Sequence, residues 1–82
     1  MAQQQILRLP DVKTLSGYSR STIYLYIANG LFPSPIKIGA RSVGWPEDEI
    51  NQIIRARISG QTENAIKQLV LNIQAARANF TQ

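Results

Sequence analysis

The chain has 82 residues, enough for one small hydrophobic core and little beyond it. It contains no cysteine and no histidine, which removes disulfides, thiol nucleophiles and the usual zinc ligands together and fits a cytoplasmic location. Nine Lys and Arg outnumber five Asp and Glu, and ahead of Trp45 the cations Arg8, Lys13, Arg20, Lys37 and Arg41 meet Asp11 alone, so the first half is expected to face a polyanion.

In chain order, Met1 to Gln5 is a polar lead expected to be disordered. It has neither a charged leader nor an apolar core of the secretory kind, and no apolar run approaches the roughly 20 residues that span a bilayer, so no membrane contact is expected. Ile6 to Leu9 reads as one extended segment laid against the core. Pro10 then suits a first helical position, Asp11 favours the positive end of the dipole, and Val12 with Leu15 supplies an inward face, giving a first helix from about Pro10 to Ser16. Gly17 is the left-handed residue that turns the chain, and Tyr18 packs under the turn.

Ser19 is a candidate N-cap for a second helix from about Arg20 to Asn29, with Ile23 and Ile27 one turn apart on its buried face. Asn29 and Gly30 end it, and Pro33 and Pro35 forbid resumption. Ile36 to Ile38 and Ser42 to Trp45 have strand character, and Gly39, Ala40 and Arg41 form the turn between them: a basic hairpin, or wing. Pro46 is expected to start a third helix, with Glu47, Asp48 and Glu49 crowding its positive end and Ile50, Ile53, Ile54 and Ile58 making its apolar face. Ser59 to Thr62 is a break. Thr62 caps a last helix to about Asn79, whose apolar residues Ile66, Leu69, Val70, Ile73, Ala76 and Phe80 fall in one stripe. The expected fold is mainly α with a small β-hairpin, a winged helix-turn-helix over residues 1–60 followed by a C-terminal helical extension over 61–82. That extension packs on the winged part or serves oligomerisation, and the pattern does not choose.

At about 100° per residue, Ile23, Tyr26 and Ile27 of the second helix lie inward, while Ser21, Leu25 and Ala28 lie on the opposite face. That face suits a major groove, with Leu25 and Ala28 against thymine methyls and Ser21 or Thr22 bonding a base edge or a phosphate. Leu25 also admits plain exposure or contact with a neighbouring protomer. Arg20 is the helix's only full charge, and Tyr24 can pack its ring while its hydroxyl reaches a phosphate. In the wing, Lys37 and Arg41 are the candidate backbone contacts, Arg41 also suiting a narrow minor groove, and Ser42 adds a phosphate bond. Trp45 and Tyr26 read as core, and Arg55 and Arg57 as solvated charges complementing the end of their helix. Consecutive acids Glu47, Asp48 and Glu49 point about 100° apart and make no metal or general acid-base site. No catalytic residues, metal or cofactor are expected, and the chain is not read as an enzyme.

The runs RLPDV (Arg8 to Val12), GYSRSTIY (Gly17 to Tyr24), NGLFPSPIKIG (Asn29 to Gly39) and VGWPEDEI (Val43 to Ile50) resemble the AlpA-like regulators and phage excisionases, whose domain is a small MerR-like winged helix. The resemblance covers the first two thirds of the chain and implies a non-enzymatic protein of a phage or genomic island that binds double-stranded DNA. Some members of that family activate an integrase gene, and others assist excision by bending attachment-site DNA, which makes an integrase a further candidate partner. Members often carry Arg or Lys where this chain has Leu25 and Ala28. One copy is therefore expected to bind modestly, and a homodimer or multimer on DNA would offset this through effective concentration. The competing reading is a protein-interaction module that kept a winged fold and lost DNA binding.

Overall fold

The structure is a computed structural model that describes residues 5–80, the last two through their backbone. Most of the expected polar lead, Met1 to Gln4, lies outside the described residues. Gln5 does not belong to a loose lead, because its carbonyl accepts the Glu47 N–H at 2.7 Å. The elements run β1 (Ile6–Leu7), α1 (Leu9–Ser16), α2 (Arg20–Ala28), β2 (Ile36–Lys37), β3 (Val43–Pro46), α3 (Glu47–Ile58) and α4 (Glu63–Ala76), followed by a 3-10 turn (Arg77–Phe80). The molecule is thus mainly helical with a small antiparallel sheet, an architecture of the winged-helix kind.

Local chemistry accounts for the helix ends. Gly17 adopts φ 76°, a left-handed conformation open to glycine at no steric cost, and its N–H closes α1 on the Lys13 carbonyl at 2.9 Å. Ser19 is extended and its hydroxyl accepts the Thr22 N–H, so α2 starts with only three residues between it and the end of α1. Thr62 caps α4 in the same way through the Ala65 N–H. Pro46 departs from expectation: with ψ 132° it is the last residue of β3, and α3 begins at Glu47. The last helix is also shorter than its apolar stripe implied, its final residues tightening into the 3-10 turn.

The sheet is wider than the expected hairpin. Its order is β1-β3-β2, with Ile6 opposite Pro46, Leu7 opposite Trp45, Ile36 opposite Gly44 and Lys37 opposite Val43. The segment before α1 therefore pairs with the second wing strand rather than merely lying on the core. One apolar cluster joins every helix to the sheet: Leu7, Val12, Ile23, Leu31, Phe32, Trp45, Ile50, Ile53, Ala56, Ile66, Val70 and Ile73. Ile66, Val70 and Ile73 of α4 thus face inward onto the same cluster as Ile50 and Ile53 of α3. Three residues assigned to apolar faces by periodicity are exposed. Leu15, next to the last residue of α1, is 46% exposed, and Ile58, the last residue of α3, is 80% exposed. In both cases the helix outruns the core. Ala76 is likewise exposed at the end of α4.

Candidate nucleic-acid interface

The helix read as the groove-entering element is displayed by its own sequence. Ile23 is fully buried and Tyr26 and Ile27 are half-buried, which turns Ser21, Leu25 and Ala28 outward; Leu25 is 56% exposed. Arg20 and Tyr24 stand on the exposed side one turn apart, the guanidinium 5.8 Å from the ring centroid. A cation over an exposed ring is steadied by about 0.5–1 kcal/mol, so Arg20 is held near the start of α2 while its donors stay open. Ser19 and Thr22 are bound to each other: the Ser19 hydroxyl accepts the Thr22 N–H at 3.2 Å and donates to Thr22 Oγ1 at 3.0 Å. Thr22 keeps its own O–H to offer and is half-buried.

In the wing, the Ile38 N–H donates to the Ser42 carbonyl at 3.0 Å and closes a loop of Gly39, Ala40 and Arg41. Lys37 and Arg41 are exposed on either side of that closure, and among the described residues neither pairs with a carboxylate. Ser42 is half-buried, its side chain beside Gly39. Among the described residues no carboxylate therefore pairs with the cations of α2 or the wing. Trp45 lies in the core as expected, fully buried, with its indole N–H donating to the Pro33 carbonyl at 2.9 Å.

The connection between α2 and the wing was missed in the sequence. Pro33-Ser34-Pro35 offers a single N–H, that of Ser34, and it donates to Gln74 Oε1 of α4 at 2.8 Å. The Ser34 carbonyl accepts Arg77 Nη2 at 2.7 Å, and Arg77 also clasps Glu49 through Nε (2.9 Å) and Nη2 (2.6 Å). Glu49, placed with its neighbours as a helix-initiating acid, is thus also half of a part-buried two-point ion pair. The one sequence signal was the tripeptide itself, since two prolines leave a lone donor that must find a partner wherever the segment is buried. Arg57 corrects a second expectation. Rather than being solvated, it lies over the Tyr26 ring at 5.2 Å, with Nε and Nη2 buried and no hydrogen-bond partner for them. Tyr26 in turn meets Tyr18 edge-on at 5.2 Å, so α2 is braced from behind by an aromatic and cationic stack.

A family model described as prophage CP4-57 regulatory protein (AlpA) matches residues 5–58, from β1 to the end of α3. The chain belongs to the AlpA family. This AlpA-family chain is similar to the uncharacterized protein ORF88 of Enterobacteria phage P4, 39% identical over 61 residues that span 74% of this chain and 69% of that protein. It is also similar to the DNA-binding transcriptional activator AlpA of Escherichia coli (strain K12), 37% identical over 59 residues that span 65% and 84% of the two. No solved structure matches it significantly. The matched segment holds every candidate contact residue and stops before α4, so Gln74 and Arg77 lie beyond it. Among the described residues no helix is long and apolar enough to cross a membrane, and no three acidic side chains gather where a metal ion could sit.

Proposed function

We propose that this AlpA-family chain is a sequence-selective, non-enzymatic DNA-binding regulator of a phage or genomic island with a MerR-like mode of docking. The observation that carries the reading is the division of labour at the surface. α2 presents a largely neutral outer face of Ser21, Leu25 and Ala28, and the wing presents the uncompensated cations Lys37 and Arg41. In this reading α2 enters the major groove, where Leu25 and Ala28 meet thymine methyls and Ser21, Thr22 and Arg20 reach base edges or phosphates. Tyr24 adds a phosphate contact through its hydroxyl. Lys37, Arg41 and Ser42 hold the adjoining backbone or narrow minor groove. The activator named among its relatives supports regulation of transcription. The same docking repeated on adjacent sites would bend DNA at a deformation cost of order 1 to 6 kcal/mol, which suits a recombination directionality factor working beside an integrase.

The test is a mobility-shift titration of the full chain on the promoter and attachment-site DNA of its own element. A shift at low salt that weakens steeply as salt rises is the expected result, because each neutralised phosphate releases counterions. Absence of a shift at low salt overturns the reading and favours a protein-interaction module. Footprints then separate the two roles, promoter protection marking a regulator and attachment-site protection a directionality factor. With Lys37→Ala and Arg41→Ala combined, the slope of log affinity against log salt is expected to fall by about 2, at roughly 0.9 per lost phosphate contact. An unchanged slope would remove the wing from the interface.

A further inference from the structure

We propose that Gln74, Arg77 and Glu49 form a clamp that sets the position of the wing relative to α2, making the C-terminal helix a determinant of DNA affinity although it carries none of the candidate contacts. The proposal rests on the DNA-binding reading above. Its physical basis is the strut Pro33-Ser34-Pro35, the final segment of the link between the two DNA-facing elements. Two prolines fix their own φ angles and restrict the residues before them, so the strut has few conformations of its own. Three of its four backbone hydrogen-bonding groups are taken, all but the Pro35 carbonyl. The Pro33 carbonyl accepts the Trp45 indole N–H, the Ser34 N–H donates to Gln74, and the Ser34 carbonyl accepts Arg77. Trp45 ties the strut to the second wing strand, and Gln74 and Arg77 tie it to α4 and the turn behind it.

Arg77 makes the geometry specific. Its guanidinium spends Nε and Nη2 on the two oxygens of Glu49 and shares Nη2 with the Ser34 carbonyl, so one planar fork connects the N-terminal turn of α3, the end of α4 and the strut. Glu49 is 7% exposed, and the pair therefore loses less to solvent screening than a surface pair does. Lysine could carry the charge but not the fork. Immediately after the strut, Ile36 opens β2 and Lys37 follows. Rotation of Ser34 would therefore move Lys37, and through the β2-β3 pairing Arg41, off a backbone that α2 has already aligned. A displacement of about 1 Å is enough to lose a hydrogen-bonded contact to phosphate. Gln74 and Arg77 are positioning residues in this scheme, acting only through the wing.

The test is a mutant cycle on DNA binding by the full chain, with each affinity referred to folded protein measured by circular dichroism at the same temperature. Arg77→Met is combined with the Lys37→Ala, Arg41→Ala wing variant, and salt slopes are measured for all four proteins. Arg77→Met alone is expected to weaken binding several-fold and to flatten the salt slope toward that of the wing variant. Added to the wing variant, it should change neither. Gln74→Ala leaves the ion pair whole and is the milder second variant, expected to show the same pattern with smaller amplitude. An equal loss in both backgrounds, with unchanged salt slopes, would show that these residues act on the fold at large and would overturn the clamp. A wing variant that itself leaves the slope unchanged would instead remove the wing from the interface, and the clamp's role with it.

Discussion

Two adjacent residues of β3 carry unequal shares of the fold for different reasons. Gly44 sits in the middle strand, and a Cβ there would lie 2.5 Å from Ile6 Cγ2 and 2.9 Å from the Leu7 carbonyl oxygen, the latter a backbone atom that cannot rotate away. Gly44→Ala is therefore expected to push β1 off the sheet at a cost of about 1–3 kcal/mol, in the range of other overpacked sites. Urea unfolding measures the cost, and faster exchange of the Glu47 amide, which is bonded to Gln5, reports the local opening. Parental stability with an unchanged Glu47 amide would mean that β1 yields freely. Trp45, next along, is fully buried against Phe32 with its indole N–H satisfied. Trp45→Ala removes a large core side chain, worth about 3–5 kcal/mol, so cooperative melting and DNA binding are expected to vanish together. A variant that melts like its parent and no longer shifts DNA would place the indole in the interface.

α2 separates stability from binding most cleanly at its first cap. Ser19→Ala deletes the acceptor for the Thr22 N–H and is expected to lower stability by about 1 kcal/mol, with little change in affinity per folded molecule. Ser19→Asp keeps an acceptor but sets a carboxylate where α2 meets phosphates, so it should melt like the parent and bind DNA more weakly. Equal affinity for the two variants would move the start of α2 away from the backbone. Such ends were legible in the sequence because capping is local: Gly17, Ser19, Gly30 and Thr62 each act within a few residues. Contacts across the chain left no such signature. The β1-β3 pairing rests on two residues per strand, and Arg77 reaches Glu49 across 28 positions. Leu15 and Ile58 failed for a related reason. Periodicity gives a direction from the helix axis, but not whether the neighbouring element extends far enough to cover that position. The outward display of Ser21, Leu25 and Ala28 was readable because it follows from the burial of Ile23 on the same helix, whereas the setting of Arg57 was not, its surroundings being Tyr26 from another helix.

The cluster that joins all helices makes a single test decisive for how the molecule divides. Ile66, Val70 and Ile73 are at most 5% exposed, and burying each such side chain contributes about 1.5–3 kcal/mol, so removing α4 forfeits on the order of 6 kcal/mol before the Ser34 and Glu49 bonds are considered. Domains of this size have stabilities near the lower end of about 5–15 kcal/mol. A fragment ending at Gly60 keeps the helix-turn-helix, the wing and the whole family-matched segment, yet it is expected to lack a cooperative thermal transition. Nor should DNA restore the parent's stability. A ligand at 100 times its dissociation constant stabilises the folded state by about 2.7 kcal/mol, less than half of what the fragment loses. Circular dichroism melting of the fragment, with and without saturating DNA, measures both terms. A cooperative melt near that of the full chain would make α4 an appendage to a self-sufficient winged domain, free to pair with another copy. A melt restored by DNA to that of the full chain would mean that the interface contributes more free energy than its few cations imply.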